Sequence, residues 1–220
     1  MNNKLYTLGE EICNSITHGI GSLLSIAALV LMVVVAAMHH SPMGVVTSSI
    51  FGASLTILYT MSTLYHAISN EKAKKVLKVF DHSTIYILIA GSYTPFTLVA
   101  LRSINCAKAW TIFGIVWAIA ILGIVTYAIF KNRFKILNVV SYVVMGWVIV
   151  IALPEIIQFF KVNNAINGLY LLVAGGVFYT VGVIFYALQK KNMKYFHSIW
   201  HVFVLLGSVC HFFSVLLYVL

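Results

Sequence analysis

Acidic side chains are nearly missing from this chain. Only five Asp and Glu stand among 220 residues, against fourteen Lys and Arg, so charged positions make up 9% of the sequence. A soluble domain carries charge on about a quarter of its positions, which excludes an ordinary water-facing fold. Cysteine is scarce as well: Cys13, Cys106 and Cys210 are scattered, odd in number and include no CxxC pair, so there is no disulfide framework. No low-complexity tract and no convincing internal repeat divides the chain. No apolar h-region precedes the first long apolar segment, which is too long for a removable signal peptide and lacks a small-residue cleavage site. That segment is expected to stay in the protein. What the chain has in abundance is apolar surface: 61% hydrophobic residues and a mean hydropathy of +0.99, the composition of an integral membrane protein.

A hydrocarbon core of about 30 Å needs roughly 20 apolar residues to cross it as a helix. Polar punctuation separates seven such runs, at about Ser15–Met38, Val45–Ile68, Asp81–Leu101, Ala109–Phe130, Ile136–Phe160, Leu169–Leu188 and Phe196–Leu220. The sequence therefore predicts an all-α integral membrane protein, a seven-transmembrane helix bundle. Its short connections leave no room for a soluble module, so residues 1–220 are expected to form a single seven-helix transmembrane domain.

Lys and Arg accumulate on the cytoplasmic side of short loops. The N-terminal tail and the even-to-odd loops hold eleven: Lys4, Lys72, Lys74, Lys75, Lys78, Lys131, Arg133, Lys135, Lys190, Lys191 and Lys194. The opposite side holds three: Arg102, Lys108 and Lys161. This places the N-terminus in the cytoplasm and the C-terminus outside. The formal charge of +9 reflects that asymmetry and contact with anionic headgroups; without a soluble basic domain, nucleic-acid binding is not expected. The expected location is the cell membrane, as a multi-pass protein of a bacterial plasma membrane.

Seven spans fix the depth of the polar residues by parity. His18, His66, His82, His197 and His201 fall in the inner leaflet with Asp81, Glu10, Glu11, Asn14 and Ser62, whereas His39, His40 and His211 fall toward the outer side. Ionisable groups at one depth inside a bilayer mark a functional site by default. Spacing sharpens the set, because residues four apart share a helix face. His197 and His201 have that spacing, as do Ser62 and His66, and Asn14 and His18, with Glu11 a turn below. Three neutral imidazoles from His66, His197 and His201, with water in a fourth position, would form a catalytic-type zinc site. Asp81 is then placed to bind the metal or, preferably, to hold and deprotonate its water. Asp81 and His82 diverge by about 100° on a helix, so Asp81 is assigned inward and His82 to support or to the interface.

The strings Asn14-Ser15-Ile16-Thr17-His18-Gly19, Ser62-Thr63-Leu64-Tyr65-His66, Asp81-His82-Ser83-Thr84-Ile85-Tyr86, Ala90-Gly91-Ser92-Tyr93-Thr94-Pro95-Phe96 and His197-Ser198-Ile199-Trp200-His201 together resemble the hemolysin III family. That family is the bacterial branch of the progestin and adipoQ receptor group, within a superfamily of membrane hydrolases that includes alkaline ceramidases. The resemblance covers essentially the whole chain. It implies a seven-helix fold, zinc near the cytoplasmic surface, and His66, His197 and His201 as its ligands. It also sets Ser62 and Asp81 beside the metal and Glu11, Asn14 and His18 close by.

Plainer roles remain open for several of these residues. His39, His40 and His211 read as interfacial anchors. His18 either hydrogen-bonds a ligand or is one. Ser62 either serves the site or bonds back to Leu58, and Glu11 either supports a ligand or favours the positive helix N-terminus. Pro95 and Pro154 are expected to kink their helices. Glu155 is left outside the site. Gly19, Gly21, Gly175 and Gly176 read as close packing, and Tyr65, Trp110 and Trp200 as interfacial belt or core. Two functions follow. One is a zinc-dependent hydrolase that draws a membrane lipid amide or ester from the inner leaflet, with Asp81 as base and Ser62 steering the water or the oxyanion. The other is a non-enzymatic, receptor-like or cytolytic membrane protein with structural zinc. Three protein ligands favour the first and four the second. Neither the protein partners nor the oligomeric state is legible.

Overall fold

The computed structural model describes residues 6–189 and 193–220, and every regular element among them is helical. Seven helices are long and apolar enough to cross a membrane: α1 (Leu8–Met38), α2 (Pro42–Ala67), α3 (Glu71–Ile104), α4 (Cys106–Phe130), α5 (Ile136–Val162), α6 (Ile166–Leu188) and α7 (Phe196–Tyr218). Helices satisfy all backbone groups within the segment, which hydrocarbon demands. The chain is a multi-pass membrane protein with the expected number of spans. Lys4, Lys190 and Lys191, three of the cations used above to orient it, lie outside the described residues.

Two helices begin well before their apolar runs. α1 starts at Leu8 rather than Ser15 because Thr7 and Glu10 form a capping box. Glu10 Oε2 accepts the Thr7 N–H at 2.8 Å, and Thr7 Oγ1 accepts the Glu10 N–H at 3.4 Å, satisfying two otherwise orphaned donors. α3 starts at Glu71 rather than Asp81, with Asn70 Oδ1 accepting from the Lys72 and Ala73 N–H groups at 3.0 and 3.1 Å. Lys72, Lys74, Lys75 and Lys78 therefore ride on a helix rather than in a loop. Asp81 lies about 15 Å inside that helix.

α3 is the helix the others surround. Within its apolar window 78% of positions are buried, against 22–50% in the other six, and shielding from lipid lets it carry small and hydroxylated residues such as Ser83, Thr84, Ala90, Ser92 and Thr94. Gly91 brings it against α2: a Cβ there would stand 2.1 Å from Ser54 Oγ. After Pro95 the helix widens into a π stretch, Phe96–Leu101, which fits a residue with no N–H to give. In α5 a 3-10 stretch, Val148–Ala152, runs into the turn that contains Pro154. Both prolines expected to disturb their helices thus stand at breaks in α geometry. The glycines divide: a Cβ at Gly21 would meet Tyr59 at 2.7 Å and one at Gly175 would meet His211 at 2.2 Å. Gly19 has ordinary room, and nothing lies within 4 Å at Gly176.

α1 packs against α2 and also against α7, while α2 packs on α3 and α6 on α7. Joining the first helix to the last brings together residues 184 positions apart, as when Ser198 Oγ donates to Asn14 Oδ1 at 2.6 Å. The large side chains of the outer faces, among them Leu23, Leu122, Ile151 and Leu217, are exposed. For a bundle in lipid that is the stable arrangement.

Candidate metal centre

The capped start of α1, the start of α7 and the end of α2 meet at one end of the bundle. Glu10 joins them: its Oε1 accepts the backbone N–H of Tyr195 at 2.9 Å, where the chain turns into α7 through a left-handed residue at φ 63°. Just inside lie His66, His197 and His201, all buried, each with one ring nitrogen within 4.8 Å of the others'. The ring centroids are 5.2, 5.2 and 4.5 Å apart.

Each ring has its Nδ1 engaged by an oxygen. Glu11 Oε2 lies 2.6 Å from His66 Nδ1, Gln189 Oε1 lies 3.1 Å from His197 Nδ1, and the Asn14 carbonyl oxygen lies 3.2 Å from His201 Nδ1. A carboxylate, an amide oxygen and a backbone carbonyl can only accept, so Nδ1 carries the proton in all three, and in the neutral ring Nε2 keeps its lone pair. The buried Nε2 atoms of His66 and His197 have no partner. Three converging imidazoles, each held at Nδ1 by an oxygen acceptor, are in their neutral form the donor set of a histidine-bound transition metal. The three histidines could hold a metal ion, and no fourth His, Cys, Asp or Glu joins their group among the described residues.

The supporting residues read from the sequence lie around this triad. Glu11 also pairs through Oε1 with Lys74 Nζ at 2.8 Å, so it reaches across to α2 and α3, while Glu10 serves the helix N-terminus. Asn14, fully buried, receives Ser198 on its side chain and His201 on its backbone. His18 is not among the converging rings. It stacks on His201 at 3.5 Å with an 8° angle, and both its nitrogens lack partners. Asp81 lies outside the triad at 9% exposure. Its Oδ2 is 3.2 Å from His82 Nδ1, and the Ser62 hydroxyl interacts with the same carboxylate. Trp200 and Tyr65 are buried core residues, while Trp110 is exposed.

A cavity of about 360 Å³ opens from this end. Asp81, Ser62, His197 and His201 line its polar end, and apolar residues of α3, α5 and α6 line the rest. His211 also lines it, so the expectation of an interfacial anchor fails there. The residue packs between helices because Gly175 makes room for its ring. His39 fits that expectation, being exposed and bonded through Nδ1 to the Leu220 carbonyl at 2.9 Å.

Two contributors escape a reading by sequence. Gln189 follows the apolar run of α6 and fixes His197. Tyr6 covers the triad, its ring centroid 4.9 Å from His197 and 5.6 Å from His66, and its hydroxyl donates to Gln189 Oε1 at 3.4 Å. Burial pushes the Tyr6 phenol well above its ordinary pKa, so it remains a donor. For Gln189 the signal was present in its position, a polar residue ending a span on the same side as the histidines.

Comparison with known proteins agrees with this architecture. The chain is 44% identical over 211 residues to Hemolysin-3 of Bacillus cereus, covering 96% of this chain and 92% of the relative. It is 45% identical over 214 residues to the Hemolysin-3 homolog of Bacillus subtilis, covering 97% and 96%. A more distant similarity, 27% over 176 residues, links it to the human monocyte to macrophage differentiation factor, over 77% of this chain and 69% of that protein. The Bacillus relatives point to a bacterial plasma membrane. With the model for Haemolysin-III related proteins matching residues 6–212, the chain belongs to the hemolysin III family.

Proposed function

We propose that this protein is a zinc-dependent hydrolase of a membrane lipid amide or ester, its metal held by His66, His197 and His201 at the cytoplasmic end of the bundle. The observation that carries this reading is the convergence of three buried histidines, two of them with unpartnered Nε2 atoms, beside a largely apolar cavity that Asp81 lines. Three protein ligands are the number catalytic zinc sites use, with a position left for water, whereas structural sites use four. The lysines on the first turns of α3 support the cytoplasmic assignment.

Zinc bound there would act as a Lewis acid toward the substrate carbonyl and acidify the attacking water. The chain's own residues do the rest. The cavity takes the acyl chain and keeps bulk water away, so that the carbonyl stops at the polar end. Asp81 accepts the proton of the attacking water and passes it to the leaving nitrogen or oxygen, with His82 beside its other flank. Ser62, next to the same carboxylate, steers that water. Glu11, Gln189 and Asn14 lock the ring orientations so that the three Nε2 atoms stay convergent. A hydrolysed phospholipid releases fatty acid and lysolipid, both of which disrupt membranes, and red-cell lysis would follow from accumulation of such products.

Metal analysis of the purified protein, combined with turnover of a lipid extract, tests the proposal. The expected result is stoichiometric zinc, with turnover abolished in Asp81→Asn while metal content stays intact. Equal turnover in Asp81→Asn and the parent would remove Asp81 from its role. Full metal occupancy with no lipid fraction consumed would favour a structural ion.

A further inference from the structure

The far end of the cavity carries a histidine with an unmet need. His211 lies ten residues beyond His201 on α7, about 15 Å further along the axis, and is 8% exposed. Its Nε2 is 3.2 Å from the Leu172 carbonyl oxygen. That oxygen can only accept, so Nε2 carries the proton, and in the neutral ring Nδ1 presents a lone pair. Nδ1 is buried without a partner. Nearby, Tyr179 shares a 2.8 Å bond with Ser208, which also receives Tyr59 at 2.6 Å. Phe96 and Tyr179 flank the imidazole with centroids at 5.8 and 5.4 Å and supply no hydrogen to it. Gly175 lets the opposite edge of the ring sit against α6, since a Cβ there would stand 2.2 Å from His211 Cδ2. The imidazole is thus built in, and buried acceptors of this kind have a donor. Among the described residues nothing donates to Nδ1, and a group that enters the cavity lined by His211 can supply the hydrogen.

We propose that His211 Nδ1 is the receptor for a hydroxyl group at the distal end of a bound chain, making the preferred ligand a long-chain amphiphile hydroxylated at or near its ω carbon. The chemistry selects a hydroxyl over an ether or ketone, because Nδ1 requires a donor. The proposal rests on the cavity as the lipid-chain site but not on zinc or on hydrolysis.

The test is a ligand series on the intact protein in nanodiscs of phosphatidylcholine and phosphatidylglycerol, read by tryptophan fluorescence because Trp147 and Trp200 line the cavity. Laurate, ω-hydroxylaurate and ω-methoxylaurate are compared with and without a chelator. The hydroxylated chain should bind about fivefold more tightly than the other two, the worth of one hydrogen bond, whether or not metal is present. His211→Phe should erase that preference and leave laurate affinity within about twofold. If that variant misfolds, the ligand series on the parent decides alone. Equal affinities for all three chains would assign Nδ1 to a trapped water and overturn the proposal, as would failure of any chain to bind. Loss of lipid turnover with the preference intact would count against hydrolysis and leave the hydroxyl subsite standing.

Discussion

His201 and His211 sit on one helix, at 2% and 8% exposure, and are wired in opposite senses. His201 and its neighbour His197 are tied by Nδ1 to oxygens of α1 and of the chain after α6, and both rings lie with centroids 5.2 Å from that of His66. His211 is tied by Nε2 to α6 and keeps one buried, unpartnered Nδ1. Burial is nearly the same in both places, so burial does not make a metal site. Convergence makes one, and convergence depends on which nitrogen is held from behind. At the triad the holding groups come from α1 and from Gln189 after α6; at His211 one carbonyl holds one ring, and it joins no metal-binding group among the described residues.

The contrast is open to direct attack. The largest expected effect is loss of stoichiometric metal in His201→Ala, while His211→Ala keeps it; metal analysis of both purified variants checks this. Metal loss in both would mean the two ends are not independent. Glu11→Gln should come next, weakening metal affinity by about 10–100-fold, the usual cost of losing a carboxylate behind a ligating histidine, as read by competition with a chelator. The smallest effect is on packing. Gly175→Ala should lower stability by about 1–3 kcal/mol because a methyl there collides with His211. Gly176→Ala, where no atom is near, should stay within about 0.5 kcal/mol. Thermal unfolding of the two variants in the same detergent compares them, and equal melting would mean that α6 and α7 shift freely around His211.

Hydropathy was sufficient for the seven spans, and helix parity for bringing His66, His197 and His201 to one end of the bundle. Helix starts were harder, because a hydropathy window reports where lipid begins, whereas a cap reports where the helix begins. The Thr7–Glu10 and Asn70 caps were readable as capping residues, yet they lie outside the apolar runs that drew the boundaries. Glu11 could be placed near His66 by depth, but its choice between helix terminus and imidazole depended on how α1 and α2 cross. Gln189 on His197 and His18 on His201 are contacts between elements of the same kind, settled by side-chain packing that no spacing rule encodes. His211 misled for a related reason. Parity sets a residue's height in the bilayer and says nothing about whether it faces headgroups or a neighbouring helix.

The seam between α1 and α7, where Glu10 receives the Tyr195 N–H and Asn14 receives Ser198, has a consequence for biosynthesis. Glu11, Asn14 and His66 leave the ribosome first and can pair early, but they offer a metal only one imidazole. The remaining two arrive together on α7. A chain that stalls before residue 196 therefore lacks two of the three imidazoles, and the triad is complete only once α7 has been inserted and has closed against α1.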